Sequence, residues 1–176
     1  TLVENISGIL AAARRSDVPV FYTAQPGAMS RAERGLLFDV WGPGMSAAEK
    51  DTRIVERLAP RPGDVLLKKW RYSAFVRSPL ETELRRRGRD QLVVCGVYAH
   101  VGCLMTACDA FSRDIEPFLV ADGTADFTAE HHRWALSYAA TRCAAVVSAG
   151  QVRRSFDEHP AVARSGARDA AGQLDA

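Results

Sequence analysis

Apolar positions along this chain follow two alternating patterns. Some stretches carry apolar residues three or four positions apart, which predicts helices that bury one face. Between these stretches lie short runs rich in valine, leucine and phenylalanine, which predict buried strands. The helices are predicted at 1–17, 47–58, 79–88, 103–111 and 128–142, and the strands at 18–23, 64–68, 92–97, 116–121 and 144–148.

The alternation of strands and helices predicts the fold class. A helix between two strands returns the chain to the same end of the sheet, so the strands run parallel and helices cover both faces. A chain of 176 residues is long enough for one domain with one core. We therefore predict an α/β domain with a parallel sheet of five strands.

One stretch, Gln91 to Phe111, contains the clearest strand–turn–helix pattern. An apolar run leads into a turn that ends at Gly102, and an amphipathic helix follows. Ligands of open α/β sheets bind outside the carboxyl ends of the strands. The free N–H groups and the dipole at a helix N-terminus favour an anion. The sequence therefore predicts a binding site at this turn, with a preference for an anionic ligand.

Two segments depart from the alternation. Residues 24–46 contain glycine–proline turns together with Leu36, Phe38 and Trp41, which indicates a long ordered loop that forms a wall of the site. From Arg153 the chain becomes polar and loses its periodicity. Residues 153–176 are therefore predicted to form a loose tail.

Composition narrows the range of functions. A formal net charge of +2 is too small to indicate nucleic acid or a membrane surface as a partner. The sequence shows no signal-peptide pattern and no apolar run of membrane-spanning length. The four cysteines form no CxxC pair and have no zinc-site spacing with histidine. We expect reduced thiols, no metal site and a cytoplasmic protein.

Polar residues directly follow three of the predicted strands. They are Gln25, Lys69 and Tyr98. Because parallel strands end at the same edge of a sheet, these three side chains can converge on one ligand.

Lys69 is the strongest single candidate for chemistry. An ammonium at the end of an apolar strand is poorly solvated, and such lysines shift in pKa and pair with carboxylates. The alternative is a lysine whose stem covers apolar surface while its charge reaches water. Neighbouring Lys68, which points to the opposite face, illustrates that alternative.

Four segments carry a resemblance to a known family. They are YTAQPG at 22–27, RGLLFDVWGPGM at 34–45, KWRYSAF at 69–75 and GVYAHVGCLMTACDAFSRDIEPFLVAD at 96–122. Four long matches in the same order are a specific signal. By these segments the chain resembles the isochorismatases, a branch of the cysteine-hydrolase (isochorismatase-like) superfamily.

The resemblance implies a hydrolase domain over residues 1–152, built as a three-layer, doubly wound, Rossmann-like parallel sheet with strand order 3-2-1-4-5-6. The first strand of that family lies in the middle of the sheet, precedes the helix at 1–17, and is missing from this chain. Its absence leaves the neighbouring strands, 18–23 and 92–97, with unpaired edges. Close pairing of those two strands would contradict this expectation.

The resemblance also implies a reaction. The substrate is isochorismate or an aminated analogue, both of which carry an enolpyruvyl vinyl ether. Hydrolysis releases pyruvate and a dihydro-hydroxybenzoate or dihydro-aminobenzoate, by acid-catalysed protonation without a covalent intermediate and without a cofactor. The acid in the family is an aspartate that ends the first strand, and it has no counterpart here. Lys69 would orient and stabilise that aspartate.

Five further residues receive substrate-binding roles from the resemblance. Arg34 would clamp a substrate carboxylate, Trp41 and Tyr72 would form apolar and stacking walls, and Gln25 and Tyr98 would form hydrogen bonds to the substrate. Without the resemblance, Arg34 is a solvated loop arginine, and the Trp41 and Tyr72 rings are equally consistent with core packing.

Gly102 decides the reaction class. The amidase branches of the superfamily have a nucleophilic cysteine at this position, whereas here the cysteine is Cys103, turned by ~100° around the helix start. We therefore expect Gly102 to leave room for a ring substrate. Two alternatives stay open: a cysteine-dependent amidase or nicotinamidase-like hydrolase, and an inactive fragment that only binds a ligand.

The resemblance further implies a setting. The partners expected are a small-molecule substrate and a second copy of the chain in a homodimer, with no nucleic acid and no membrane. The products belong to siderophore or phenazine biosynthesis in bacterial secondary metabolism. The sequence does not choose between isochorismate and its amino analogue.

Overall fold

The computed structural model describes residues 1–159, which form five strands and eight α-helices. The strands are β1 (Phe21–Ala24), β2 (Val65–Lys68), β3 (Gln91–Val97), β4 (Glu116–Ala125) and β5 (Ala145–Val147). The helices are α1 (Leu2–Arg15), α2 (Arg31–Arg34), α3 (Leu36–Trp41), α4 (Glu49–Thr52), α5 (Leu80–Arg86), α6 (Leu104–Phe111), α7 (Ala129–Arg142) and α8 (Ala149–Glu158). None of these helices is both long and apolar enough to cross a lipid bilayer.

Every strand pairing is parallel, which confirms the predicted α/β class. β1 pairs with β2 from Phe21 opposite Val65, and β3, β4 and β5 form a second sheet in that order. The five strands lie close to the five predicted segments, because apolar runs of this length are buried on both faces in a parallel sheet.

The two sheets are not joined in the described part of the chain. β1 and β3 do not pair with each other, as the expected gap between these strands requires. A cavity of about 420 Å³ lies between them, lined by Phe21 on one side and by Leu92, Val93 and Cys95 on the other. Both facing edges therefore retain backbone donors and acceptors without a sheet partner.

Helix α1 confirms the first predicted helix. Thr1 and Glu4 form a capping box at its start. Ile9 of this helix packs with Val120 of β4 and with Val152 of α8 in one apolar cluster. The helix thus covers one face of the three-stranded sheet.

The region between β1 and β2 differs from the prediction. Residues 24–46 contain two short helices, α2 and α3, where a loop was predicted, and α2 starts with a capping box from Ser30 and Glu33. The single helix predicted at 47–58 is wrong, since the structure has the four-residue α4 and a 3₁₀ turn there. Val55, in the middle of this segment, is 54% exposed.

The beginning of the predicted loose tail is helical. Residues 153–158 belong to α8, which Ser148 caps. Val152 and Phe156, one helical turn apart, both pack on the apolar cluster against α1. The sequence analysis missed this spacing because it assigned Val152 to the predicted domain, which ended at 152, and Phe156 to the predicted tail. Residues 160–176 of the predicted tail lie outside the described residues.

Candidate active site

The ends of β1 and β2 are adjacent in the structure. The Lys69 backbone N–H donates to the Ala24 carbonyl at 2.9 Å, which extends the parallel ladder by one residue. Gln25, half-buried, follows β1 directly. The structure therefore places Gln25 and Lys69 after neighbouring strands at one sheet edge, as the strand assignment predicted.

The Lys69 side chain lies against the turn that ends at Gly102. A Cβ atom added to Gly102 would lie 3.4 Å from Lys69 Cε and 3.6 Å from Lys69 Nζ. Lys69 Nζ donates to the Tyr72 carbonyl at 2.5 Å, and no carboxylate of residues 1–159 forms an ion pair with it. Burial lowers the pKa of Lys69 to about 8. The Lys69 ammonium has three N–H donors, and it places them beside Gly102, the one glycine of the turn.

The turn itself is a compact π-helical segment, Ala99–Cys103, that leads directly into α6. The Tyr98 carbonyl accepts the N–H groups of Val101, Gly102 and Cys103 at 3.2, 3.0 and 3.2 Å. At its other end, the Thr106 hydroxyl donates to the Gly102 carbonyl at 2.7 Å. These bonds hold Gly102 buried at the base of the site.

An aromatic cluster stands at the outer side of this turn. Trp41 Nε1 donates to the Tyr72 hydroxyl at 2.7 Å. The Phe127 ring stacks on Tyr98 with a centroid distance of 3.8 Å, and on Trp41 at 6.1 Å. The structure thus brings together three predicted wall or binding residues, Trp41, Tyr72 and Tyr98, through a residue that the sequence analysis missed. Only its position in the sequence could have indicated Phe127, since it lies two residues after the end of β4, and Tyr98 lies directly after the end of β3.

Arg34 is placed differently from the other predicted residues. It is only 4% exposed, and its Nε donates to the Gly42 carbonyl. Its guanidinium lies so close to Gly44 that a Cβ there would meet Nη1 at 2.5 Å. The arginine therefore holds the loop of residues 42–44, and its role as a carboxylate clamp stays a prediction.

A second polar group lies behind the turn. Asp126 accepts the His100 backbone N–H at 2.6 Å, and its carboxylate oxygens lie 2.7 Å from His100 Nδ1. Ligand atoms of His100, Asp126 and His131 all lie within 4.8 Å of one another. Because Asp126 is already occupied by His100 and by the Phe127 N–H at 2.8 Å, the group forms a hydrogen-bonded network. The sequence analysis had assigned Asp126 no role.

The thiol next to the key glycine is poorly suited to nucleophilic attack. Cys103 is 5% exposed, and burial raises the pKa of its thiol to about 12. The thiolate, which is the nucleophilic form, is therefore scarce at neutral pH. This agrees with the expectation that Cys103 is not the reacting group.

Comparison with known proteins identifies the family. The sequence model of the isochorismatase domain matches residues 1–151. The chain belongs to the isochorismatase family. The phenazine biosynthesis protein PhzD of Pseudomonas fluorescens is 56% identical over 151 residues, which are 86% of this chain and 73% of PhzD. The enterobactin synthase component B of Escherichia coli K12 is 49% identical over 146 residues, 83% of this chain and 51% of that protein.

A solved structure supports the same assignment. The cysteine hydrolase of Pseudomonas syringae pv. phaseolicola 1448A superposes with a TM-score of 0.84 at 27% identity, covering 90% of this chain and 81% of that chain. The fold is therefore the isochorismatase-like hydrolase fold, as the sequence resemblance predicted.

Proposed function

We propose that this isochorismatase-family chain hydrolyses the vinyl ether of isochorismate, or of its amino analogue, to pyruvate and a dihydrobenzoate. One observation carries the proposal: a desolvated lysine faces a glycine at the turn where the amidase branches place their nucleophilic cysteine. The family assignment and relatives in phenazine and siderophore biosynthesis support the same reaction. The product of the reaction would then enter phenazine or siderophore biosynthesis.

The chemistry begins with a proton that a carboxylic acid delivers to the vinyl methylene carbon. The resulting oxocarbenium ion adds water, and the hemiketal collapses to pyruvate and a ring alcohol. In the amino analogue the amino group stays on the ring unchanged. Lys69 orients the acid and stabilises its carboxylate after transfer. The π-helical segment and α6 form one continuous helix from Ala99, and the positive end of its dipole favours the anionic substrate. No cofactor is needed for any of these steps.

The acid is proposed to come from outside the described residues. Lys69 has no carboxylate partner within residues 1–159, and the edges of β1 and β3 lie unpaired around an apolar cavity. A strand in this cavity would pair with both edges and end beside Lys69. In the family that the sequence resembles, this strand precedes the helix that corresponds to α1, and the aspartate lies at its end.

Gln25, Arg34, Trp41, Tyr72, Tyr98 and Gly102 are proposed to bind the substrate. The hydrogen bond from Trp41 to Tyr72 fixes two of the rings, and the stack on Phe127 fixes Tyr98. Aromatic faces suit a cyclohexadiene ring with carboxylate substituents. Because Gly102 has no side chain, Lys69 can lie against the turn, where an added Cβ would be 3.4 Å from Lys69 Cε.

The proposal includes a cytoplasmic homodimer. Leu36 and Val40 of α3 are 80% and 69% exposed, and both line an open apolar groove of about 850 Å³. Adjacent exposed apolar side chains are typical of a protein interface. Sedimentation equilibrium of the wild-type chain and of Val40→Asp tests this part, and a wild-type monomer would contradict it.

The position of bond cleavage tests the reaction itself. Protonation of the vinyl carbon leaves the bond between the ring and its oxygen intact, so water in H₂¹⁸O labels pyruvate and not the ring hydroxyl. We expect mass spectrometry to show an unlabelled ring product. A labelled ring hydroxyl would indicate attack at the ring and overturn the mechanism. Ligand binding without any pyruvate by the chain with the first strand added would favour the inactive alternative, and loss of activity on alkylation of Cys103 would favour the amidase-like one.

A further inference from the structure

A buried carboxylate that the proposed reaction does not use lies behind the aromatic cluster. Asp126 directly follows β4, and its side chain is 0% exposed. Burial alone would raise the pKa of this carboxyl, but the hydrogen bonds from His100 and Phe127 outweigh burial and lower it. Burying a charged group is costly unless it is hydrogen-bonded, and the hydrogen bonds to Asp126 offset this cost.

The first set of these partners belongs to the turn. Asp126 accepts both the backbone N–H and the ring Nδ1 of His100, at 2.6 and 2.7 Å. His100 lies between Tyr98 and Gly102 within the π-helical segment. In the sheet, Val97 is paired with Ala125, so the turn and Asp126 leave β3 and β4 at the same level. The carboxylate thereby fixes the turn relative to the end of β4.

The second partner belongs to the aromatic cluster. Asp126 Oδ1 accepts the Phe127 N–H at 2.8 Å. The Phe127 ring, 52% exposed, lies 3.8 Å from the Tyr98 ring with an angle of 20° between the planes. The same carboxylate therefore holds the turn that follows Tyr98 and also holds Phe127, whose ring stacks on the Tyr98 ring.

We infer that Asp126 is a positioning residue for substrate binding, which acts through His100 on the turn carrying Tyr98 and Gly102, and through Phe127 on the face of Tyr98. Phe127 is then a specificity-determining part of the ring-binding wall. The inference rests on the proposed function for the identity of the ring substrate. It adds two residues that neither the sequence motifs nor the acid-catalysed mechanism assigns.

This role predicts a particular kinetic pattern for Asp126→Asn, measured in the active protein, which is the chain with the family's first strand joined before Thr1. The amide oxygen of asparagine cannot replace both carboxylate oxygens, and its NH₂ group faces N–H donors. The wall contacts the ring equally in the ground state and in the transition state, so its displacement weakens uniform binding. We expect KM to rise about tenfold, with kcat within about a factor of two of the wild type.

Asp122→Asn is the matched control. Asp122 lies within β4 and also accepts hydrogen bonds, from the Ala149 N–H at 2.6 Å and the Asn5 side chain at 3.2 Å, but it forms no hydrogen bond with the turn or the rings. We expect its KM to stay at the wild-type value. Equal rises in KM for the two variants, or a fall in kcat alone for Asp126→Asn, would overturn the inference.

A double-mutant cycle tests whether Asp126 acts through Phe127. We expect Phe127→Leu to raise KM about fivefold and Phe127→Tyr, which keeps the stack, to stay within about twofold of the wild type. The double variant Asp126→Asn/Phe127→Leu should bind no more weakly than Asp126→Asn alone, because both changes remove the same support. Additive effects would show that the two residues act separately, against the inference.

A second readout separates this inference from the proposed function. Failure of the chain with the family's first strand joined before Thr1 to release pyruvate would reject the proposed function. The near-ultraviolet circular dichroism of the 176-residue chain still reports the packing of Tyr98, Phe127 and Trp41. Asp126→Asn is expected to change this signal and Asp122→Asn to leave it unchanged. An unaltered signal in Asp126→Asn would overturn the positioning role.

Discussion

At the scale of single residues, the burial of the Lys69 ammonium lowers the stability of the folded chain. Its pKa is about 8 in the folded protein because of burial, whereas an unperturbed lysine titrates near 10.4. Between these values the unfolded chain binds more protons than the folded chain, so the free energy of unfolding rises with pH across this interval. Below pH 8 the buried ammonium exerts its full destabilising effect.

We therefore predict that Lys69→Met stabilises the 176-residue chain by about 2 kcal/mol at pH 7. Methionine has similar length and carries no charge, so the cost of desolvation disappears. The gain should shrink as pH rises above 8 and vanish near pH 11. Urea denaturation at pH 7 and at pH 10.5 measures both values.

Lys68→Met provides the control for this prediction. Lys68 is exposed on the opposite face of the same strand end, so its removal should give no gain that depends on pH. Equal stability of Lys69→Met and wild type at pH 7 would contradict the account of a destabilising buried ammonium.

The residue scale also shows what a sequence can and cannot predict about a site. Gln25, Lys69 and Tyr98 were found because each follows a strand, and strand ends are visible in the apolar pattern. Asp126 and Phe127 were missed because their partners, His100 and Tyr98, belong to another strand end. No local pattern predicts a contact across the sheet edge. The resemblance alone could not show that Arg34 is buried against its own loop.

At the scale of secondary-structure elements, an ion pair joins α1 to the two-stranded sheet. Arg14 Nη2 lies 2.5 Å from Asp64 Oδ2, with the side chains 20% and 5% exposed, and it also donates to the Tyr22 hydroxyl at 3.2 Å. Burial would raise the pKa of Asp64, but hydrogen bonds from Arg14 and Arg61 outweigh it and lower the pKa. A lowered carboxyl pKa contributes stability above the unfolded value near 3.9, which is lost as pH falls through the folded value.

Asp64→Asn is predicted to lower the free energy of unfolding by about 2 kcal/mol at pH 7, because it leaves the Arg14 guanidinium without its charged partner. The difference from the wild type should shrink at pH 3, because the stability that a lowered carboxyl pKa contributes is progressively lost below the unfolded value near 3.9. Urea denaturation at both pH values measures this. The exposed pair of Arg15 and Asp157 serves as the comparison, and Asp157→Asn should change stability little. The account of α1 docking is contradicted if the two variants behave alike at pH 7.

The elements also differ in how well the sequence predicts them. The strands and the long helix α1 carry enough apolar periodicity to be recognised, whereas the start of α7 is indicated by its N-cap, Thr128. Helices α2, α3 and α4 have four to six residues, so caps and packing determine them more than periodicity does. For α8 the apolar spacing was present, and the assumed domain end concealed it.

At the scale of the whole molecule, the sheet is divided into two parts around an apolar cavity. β1 and β2 form one part, and β3, β4 and β5 form the other. The alternation of elements was sufficient to predict a parallel α/β fold. The gap was not visible in the periodicity, because a pattern describes only the segments that are present. It followed from comparing the order of segments with that of the family.

The division also bears on Lys69, which follows β2 and lies against the turn at Gly102. Two features then have one explanation: the unpaired edges of β1 and β3, and the lysine without a carboxylate partner among residues 1–159. A single strand that ends in aspartate would satisfy both of them.

The most direct measurement is pyruvate release from isochorismate by two proteins. One is the 176-residue chain, and the other is the same chain with the first strand of the 56%-identical PhzD joined before Thr1. The account predicts release by the second protein only, and loss of release when the strand's terminal aspartate becomes asparagine or Lys69 becomes methionine. Absence of pyruvate from both proteins, or release that persists without that aspartate, would contradict it.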